Sequence, residues 1–591
     1  MQERPSAVLA APRTKRSGAP YLAGYSWDTG ARFPVIQEPI TGTQPTRAAN
    51  PDLWAFIAVA LVALIARLVI LPFATSDGGD SVSRVWMAQE WMSRPRLLTE
   101  GIWGPLHFYL LALPLALVPD PVHGPIAMGV LFSTASALLM YRLVEIQFGD
   151  QRAALLVALT YALYPIAIRN GVSVRSETPF VFFLLLAMIA LALARREGGS
   201  WRHAVAGGVA LTLASMLRYE AWMLIPMLAV LLWRKPRFLL VFVGCALVHP
   251  VFWMIGNAVQ HGDPFFSMTA ASRFELQTMG RSRLDRWSLV RWAALYPGVV
   301  LRGMGLVAAV ISLIGAAWAL IGRHRSAAWL VPLAGLTSLQ CLAIARGSLV
   351  PKLNYTETAG TMLFPFAALV YDRIRVARWT AAAFGLVTLG LLVANAVTSC
   401  KPCLARVGLG AAAASSPVPR IPNEEIALEL PPILADNLPA GSGLISDDYG
   451  TGATRYVALQ TRLPRERMYF VCAAVNRPLD VPGLSVFLGA YPRGMLVARS
   501  GSRFSENLGL TPLASSTTIG DTQITLEPLR SLNWPGRVPA ELTLFRYAVR
   551  GGGTPPPSRP PNSAHPSTPG CSPRDAAADP TETDGSDTEP D

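Results

Sequence analysis

Charged residues and cysteines are both scarce in this chain of 591 residues. Only 15% of its residues are charged, compared with roughly 25% in an ordinary soluble protein. Six cysteines in so long a chain exclude a scaffold held together by disulfides. Apolar residues, by contrast, make up 51% of the sequence. The way these apolar residues are arranged excludes a soluble cytosolic enzyme.

Long apolar runs recur from residue 53 to residue 399. A helix that crosses a membrane needs ~20 mostly apolar residues, and several of these runs contain no charged residue at all. We count eleven runs: Leu53–Phe73, Pro125–Tyr141, Ala153–Ile168, Pro179–Ala194, two between Ala204 and Trp233, Phe238–Val259, Gly303–Gly322, Ser326–Ala345, Thr358–Tyr371 and Trp379–Ser399. Buried helices of a soluble protein could explain one or two of them. The sequence therefore predicts a polytopic α-helical membrane protein of about 11 to 13 transmembrane helices.

Basic residues indicate the orientation of the chain. Clusters at Arg195–Arg202, Arg234–Arg237, Arg323–Arg325 and Arg373–Arg378 fall on one side of the membrane, and cytoplasmic loops are enriched in Lys and Arg. Residues 1–50 are basic and are expected to be a disordered cytoplasmic leader. Residues 51–400 form the bundle, with extracytoplasmic loops 74–123 and 260–296. In the first of these loops, Gly104–Val118 is too short to cross and is expected to dip into the outer leaflet.

The sequence changes character after residue 400. Residues 421–550 contain turn-forming Pro and Gly and short β-prone runs, which predict a small extracytoplasmic α/β or β-rich domain. The expected strands include Gly443–Ser446, Leu484–Leu488 and Gln523–Leu526. Residues 551–591 are Pro-rich and then acidic, so we expect them to be disordered.

Ionisable residues mark a candidate site at the extracytoplasmic ends of the helices. The first loop places Asp77 and Asp80 among glycines directly after the first span, although such a string taken alone also suits a polar turn. The other members are Arg175, Glu177, Arg218, Glu220, Arg346 and Lys352. Carboxylates can deprotonate a hydroxyl or bind a divalent metal, and Arg and Lys bind phosphate. The set fits a phosphorylated lipid, whereas ordinary interfacial charges are the alternative for Arg175–Glu177 and Arg218–Glu220.

Three segments resemble those of a known enzyme class. They are Gly79-Asp80-Ser81 with Arg84 and Ala88, then Gly104-Pro105-Leu106-His107-Phe108-Tyr109, then Ser176-Glu177-Thr178-Pro179 followed by a Phe-rich run. Their order is similar to that in the GT-C glycosyltransferases and, more narrowly, in the protein mannosyltransferase and aminoarabinose-transferase superfamily (glycosyltransferase family 39). The resemblance covers about residues 52–400. The chain departs from the family pattern where Arg84 replaces Tyr, Gly104 replaces Pro and Thr361–Pro365 replaces an Arg-Tyr…Leu-Pro string.

The resemblance implies a GT-C-type bundle that moves a sugar from a polyprenyl-phosphate donor to a hydroxyl of a lipid, glycan or protein on the extracytoplasmic face, with inversion. Asp80 would be the general base and Glu177 would position the acceptor; alternatively, the two would hold a divalent cation, Mg²⁺ or Mn²⁺. Residues expected to bind substrate or phosphate are Asp77, His107, Arg175, Arg218, Glu220, Arg346 and Lys352. Membrane lipids are expected partners, nucleic acid is not, and the expected location is the bacterial cell membrane.

Two other functions compete with this one. A lipid-linked-sugar flippase or transporter would also need charges and a groove, but transporters place them at the bilayer midplane and often show internal repeats. A non-catalytic scaffold would use the bundle as an anchor for residues 421–550. Eleven spans are more than an anchor needs.

Overall fold

Helices separated by short turns make up most of the described chain up to residue 373 in a computed structural model of the protein. Apart from isolated positions, the structure describes residues 53–71, 79–93, 103–118, 120–278, 286–349, 353–373, 424–447, 465–471, 481–534 and 540–550. The leader 1–50, the predicted span Trp379–Ser399 and the tail 551–591 lie outside these residues. The helix count of the bundle therefore stays a prediction.

The helices of the first part of the chain follow the apolar runs. They are α1 Leu53–Ile70, α2 Gly79–Ser93, α3 Leu106–Leu117, α4 His123–Phe148, α5 Gln151–Ala162, α6 Pro165–Gly171, α7 Glu177–Arg195, α8 Trp201–Ser215 and α9 Glu220–Ala229. The next are α10 Pro236–Ala246, α11 Val248–His261, α12 Phe266–Thr278, α13 Arg286–Met304, α14 Leu306–Ile321, α15 Leu330–Ala345, α16 Thr356–Leu363 and α17 Ala367–Arg373.

Among the described residues, five helical stretches are long and apolar enough to cross a membrane, and two bent helix pairs bring the number to seven. The bent pairs are α5 with α6, which meet at 58°, and α13 with α14, which meet at 113°. The sharper bend occurs at Gly305, whose φ of 84° lies in the left-handed region that glycine enters without steric cost. The predicted short helix of the first loop is α3, whose 12 residues are too few for a crossing.

The two ends of the bundle differ in chemistry. Helix α7 runs from Glu177 at one end to Arg195 at the other, ~27 Å away at 1.5 Å per residue. The basic turns meet around Arg195: Lys235 Nζ lies 2.8 Å from the carbonyl oxygen of Ala194, and the Arg195 guanidinium lies over the Trp329 ring. We call this the basic end and the opposite one the acidic end. A shared cytoplasmic face requires these basic turns to lie at one end of the bundle, as they do here. Which side of the membrane this end faces remains a prediction.

The predicted extracytoplasmic loops are largely helical. The segment 74–123 contains α2 and α3, and the segment 260–296 contains α12 and the first part of α13. The hairpin expected between Ala204 and Trp233 is formed by α8 and α9, which turn at the acidic end.

The C-terminal domain is a six-stranded mixed sheet with three helices, which confirms a β-containing domain. Its helices are α18 Glu424–Asn437, α19 Val481–Ala490 and α20 Arg503–Asn507; its strands are β1 Gly443–Asp447, β2 Met468–Val471, β3 Arg493–Arg499, β4 Ser516–Ile519, β5 Thr522–Trp534 and β6 Ala540–Val549. The strand order is β2-β1-β3-β6-β5-β4, in which β1 is parallel to β2 and β3 and the other pairs are antiparallel. Strands were correctly predicted at Gly443–Ser446 and Gln523–Leu526. The strand predicted at Leu484–Leu488 is wrong, because this run lies within α19.

Alternating residues of the sheet face two different apolar clusters, since successive side chains of a strand point to opposite faces. Ile445 and Leu496 pack in one cluster with Leu484 of α19. Leu444 and Met495 belong to the other cluster, which also contains residues of the first part of the chain: Val85 and Ala88 of α2 and Phe108, Leu111 and Leu115 of α3. The sheet and the helices that follow the first span therefore share one buried apolar cluster.

Candidate active site at the acidic end

Glu177 begins α7 and is buried, with only 3% of its surface exposed. An acid in the first turn of a helix interacts favourably with the helix dipole. One carboxylate oxygen, Oε1, accepts a hydrogen bond from Asn354 and pairs with Arg218 at 2.9 Å. The other oxygen, Oε2, is buried and has no hydrogen-bond partner within the described part of the chain. Glu177 therefore presents one unused oxygen to the interior.

Arg218 bridges two acids at the turn between α8 and α9. Its guanidinium contacts Glu177 and binds Glu220 through Nη2 at 2.6 Å and through Nε at 3.1 Å. The Tyr355 ring lies 4.9 Å from the guanidinium carbon, a cation–π distance. Both carboxylates lie on the arginine, so Arg218 is not a free cation here. Its position is fixed by α7, α9 and the segment before α16.

A second buried acid lies next to Glu177. Glu357, in the first turn of α16, is 2% exposed, and its Oε2 accepts a hydrogen bond from Asn170 Nδ2 at 2.5 Å. The pair joins α6 to α16 across 187 residues of sequence. Glu177 and Glu357 also interact electrostatically. Glu357 thus joins Glu177 and Glu220 at the acidic end, and sequence analysis found only the latter two.

The Gly104-Pro105-Leu106-His107 segment docks directly on the α8–α9 turn. Leu106 N donates to the Met216 carbonyl oxygen at 3.2 Å, and a Cβ at position 104 would lie 2.2 Å from that oxygen. Only glycine fits there, which gives a packing reason for Gly104. His107, 2% exposed, has no partner for either ring nitrogen among the described residues.

Arg84 of α2 supplies a buried positive charge. It is 7% exposed, and its guanidinium lies 5.6 Å from the centre of the Trp103 ring. It interacts electrostatically with both His107 and Glu177. Among the side chains that the structure describes, which do not include Asp80, none forms an ion pair with Arg84. The structure therefore places a cation within electrostatic range of an imidazole and of a carboxylate oxygen that have no hydrogen-bond partner among these side chains.

The other predicted site residues have different outcomes. Arg175 lies next to this group, where its Nε donates to Ser173 and its charge acts on Glu177. Arg346, at the end of α15, is exposed. Asp80 lies in the first turn of α2, four residues before Arg84, but its side chain lies outside the described residues, as do Asp77 and Lys352.

Sequence analysis missed Arg84 as a site residue, and it missed Asn170, Asn354 and Glu357 altogether. A signal existed for Glu357, which directly precedes an apolar run just as Glu177 does. Among the residues that the structure describes, no group of three or more His, Cys, Asp or Glu side chains could hold a metal ion. The divalent cation remains a prediction, because it depends on Asp80.

Comparison with solved structures gives the fold class. The structure of ArnT from Cupriavidus metallidurans bound to undecaprenyl phosphate matches with a TM-score of 0.56 and 14% identity, covering 86% of this chain and 100% of that one. The apo structure of the same protein matches with a TM-score of 0.54 and 13% identity, covering 84% and 97%. The chain therefore has the fold of ArnT, a GT-C membrane protein.

The family comparison is narrower. Residues 103–255 match the model of the dolichyl-phosphate-mannose-protein mannosyltransferase family. This segment includes His107, Glu177, Arg218 and Glu220 but not α2. No curated protein matches the chain. Together, the fold and the matched segment confirm the resemblance to the GT-C glycosyltransferases that the sequence predicted.

Proposed function

We propose that the protein is a membrane glycosyltransferase that moves a sugar from a polyprenyl-phosphate donor to a hydroxyl acceptor at the acidic end of the bundle. The observation that carries the proposal is the buried group of Glu177 Oε2, His107 and Arg84 in a chain with the ArnT fold. One structure of ArnT is bound to undecaprenyl phosphate, which supports a lipid phosphate as the ligand of the shared fold. The acidic end would face the extracytoplasmic side of the cell membrane.

The arginine pairing assigns different roles to the two cations. Arg218 carries two carboxylates, so its task is to hold Glu177 and Glu220 in position. Arg84 has no carboxylate within ion-pair distance in the described ranges and lies beside Glu177, so it is the better ligand for the donor phosphate. Buried positive charge placed where a phosphate develops negative charge stabilises the transition state.

The reaction follows from these positions. The acceptor hydroxyl attacks the anomeric carbon of the sugar, the bond from that carbon to the phosphate oxygen breaks, and the lipid phosphate leaves with the bonding electrons. A single displacement inverts the anomeric centre. Asp80 would take the hydroxyl proton, a contribution of ~10²–10⁴ in rate for a well-placed base. Glu177 Oε2 would accept a hydrogen bond from the acceptor and orient it.

The test is transfer of radiolabelled sugar from undecaprenyl-phosphate sugars in membranes that contain the full chain. We expect transfer by the wild type and a loss of at least about 100-fold in Asp80→Asn. The control is Asp521→Asn, which changes an exposed aspartate between β4 and β5 and should leave transfer intact. The same assay with and without EDTA tests the divalent cation.

The possible outcomes separate the candidate functions. Full transfer by Asp80→Asn would remove Asp80 from the mechanism while leaving the enzyme in place. Absence of transfer from any donor by a wild-type protein that binds undecaprenyl phosphate would reject the glycosyltransferase. In that case, movement of the sugar-linked lipid between leaflets would indicate a flippase, and the lack of such movement would indicate a scaffold.

A further inference from the structure

Two buried polar side chains, one on α13 and one on α15, have no role in the site described so far. Tyr296 of α13 is fully buried, and its hydroxyl has no partner among the described residues. Gln340 of α15 is 2% exposed, and neither atom of its amide group has a partner in the same part of the chain. A buried polar group without a hydrogen bond destabilises the fold, so such groups point to a ligand or ordered water as the partner.

Tyr296 lies within electrostatic range of the Arg218–Glu220 pair. It packs in a buried cluster with Ile344 of α15 and Ala359 of α16, and Cys341 also contacts this cluster. Tyr296 is thus held between α15, which contains Gln340, and α16, which contains Glu357.

The register of α9 against α15 places Gln340 close to the depth of Glu220. The two helices pass each other at Gly335, where an added Cβ would lie 2.7 Å from Met227 Sδ. Gln340 comes five residues after Gly335 on α15, and Glu220 comes seven residues before Met227 on α9. At 1.5 Å per residue, both residues therefore lie ~7–11 Å from this contact along their helices, in the direction of the acidic end. Leu336, Gln340 and Ile344 are the buried residues of this stretch of α15, one turn apart on one face.

The chemistry of these groups indicates their ligand. A phenol hydroxyl, a primary amide and the neighbouring Glu220 carboxylate offer donors and acceptors but no free cation. A prenyl chain would leave all of these atoms unpaired, and a phosphate would be repelled by the carboxylate. A sugar ring, whose hydroxyl groups both donate and accept, satisfies them.

We propose that Tyr296 and Gln340, beside Glu220, form a subsite for the hydroxyl groups of a sugar ring. This inference rests on the proposed function, since a sugar has to reach this place on a lipid donor or as part of an acceptor. The phosphate would bind near Arg84 and Glu177. Neutral hydrogen bonds in such a pocket discriminate sugars that differ by one hydroxyl, because a missing hydroxyl leaves buried groups unpaired.

The experiment measures binding by the purified full chain, through thermal stabilisation by added ligand. The probes are bare undecaprenyl phosphate and the same lipid linked to glucose, mannose, N-acetylglucosamine or arabinose. We expect the wild type to bind at least one sugar-linked lipid about tenfold more tightly than the bare lipid. Tyr296→Phe and Gln340→Met should each lose about three- to tenfold of that advantage while binding the bare lipid as the wild type does.

A matched control and a stability readout exclude a merely structural role. Gln147, near the basic end of α4, is also buried with an unpartnered amide nitrogen among the described residues, and Gln147→Met should not change the sugar advantage. Replacing an unpaired buried polar group with an apolar one of similar size should preserve or raise the unfolding temperature of Gln340→Met. Tyr296→Phe keeps the ring and its packing, so it remains informative if Gln340→Met folds poorly.

The source of the sugar is decided by a second set of probes. Methyl glycosides of the same four sugars carry no lipid. If they bind the wild type and both variants lose that binding, the subsite serves an acceptor; if only the lipid-linked advantage is lost, it serves the donor. An undiminished advantage in both variants, or equal wild-type affinity for the bare and all sugar-linked lipids, overturns the subsite in favour of ordered water. Failure of the wild type to bind even bare undecaprenyl phosphate would instead reject the proposed function.

Discussion

Arg67 is fully buried in the helical bundle and Arg218 is largely buried, but their guanidinium groups have different partners. Arg67 donates to the Ser133 hydroxyl at 2.7 Å and to the backbone oxygens of Ala63, Ala162 and Ser133. Arg218 binds the carboxylates of Glu177 and Glu220. Neutral oxygens tie Arg67 to the backbone of several helices, whereas the two carboxylates neutralise Arg218 and are held in position by it.

The position of Arg67 explains its neutral partners. It joins α1 to α4 and to the end of α5, where α5 and α6 meet at 58°, and Ser133 in turn donates to the carbonyl oxygen of Ala167 in α6. Helix breaks leave carbonyl groups unpaired, and in a membrane these groups need an internal donor. We therefore infer that Arg67 stabilises the position of α6, whose Asn170 donates a hydrogen bond to Glu357.

The largest effect is expected for Arg218→Met. The change leaves Glu177 and Glu220 buried without their cation and frees both to move, so transfer should fall by about 10²–10³. The measurement is sugar transfer per folded molecule, with the folded fraction taken from size-exclusion chromatography in detergent. Arg546→Met, which removes the arginine of an exposed pair with Glu527, is the control. Near-normal transfer by Arg218→Met would mean that Arg218, like Arg67, has only a structural role.

Glu177→Gln should have the next largest effect. The amide oxygen can still accept from Asn354, but the charge that pairs with Arg218 and faces the acceptor is gone, so we expect a loss of about 100-fold in kcat. Glu145→Gln breaks a comparable pair with Arg142 near the basic end of α4 and should leave kcat unchanged. If both variants lost activity equally, the effect of Glu177 would be one of folding.

Tyr355→Leu tests the difference between Arg67 and Arg218 by removing the aromatic ring beside Arg218. A cation–π contact contributes about 0.5–2 kcal/mol, so transfer should fall by roughly three- to thirtyfold. The matched control is Trp318→Leu, which removes the ring beside Arg373, 4.5 Å from the guanidinium carbon. A loss in the control as large as that in Tyr355→Leu would contradict a specific role for the ring.

Arg67→Met should have the smallest effect on transfer. It leaves Ser133 and several carbonyl oxygens without their donor, at a cost of about 2–4 kcal/mol in stability. We therefore expect a lower unfolding temperature in detergent and transfer per folded molecule within about twofold of wild type. Arg67→Lys retains the charge but has fewer hydrogen-bond donors, so its unfolding temperature should lie between those of the wild type and Arg67→Met. A large drop in transfer by molecules that remain folded would place Arg67 in the active site.

Sequence reasoning found the parts of the site that a local signal marks. Glu177 and Arg218 stand at the ends of apolar runs, where an ionisable residue is costly unless it has a function. The same rule applies to Arg67, a single charge inside an apolar run, and to Glu357, directly before one. What local reasoning could not supply is the partner: Asn170 meets Glu357 across 187 residues, and Asn354 meets Glu177 across 177.

The fold was predicted best where apolar runs are long. Helices α7 and α15 each span one predicted run, because length alone separates a membrane helix from a strand. The run Leu484–Leu488 is short and apolar on all sides, a pattern that suits a buried strand and a buried helix equally well. Its helical state depends on packing against the sheet through Leu484 and Leu488, which no local pattern specifies.

The apolar cluster shared by α2, α3 and the C-terminal sheet has a consequence for the order of synthesis. Val85 and Phe108 are made near the start of translation, whereas Leu444, Met495 and Leu544 of the same cluster follow several hundred residues later. Helices α2 and α3 also carry Arg84 and His107, so the helices that hold these side chains gain their apolar contacts with the sheet only after residues 444–544 have been synthesised. A polypeptide stopped at residue 400 would lack the half of this cluster that the sheet supplies.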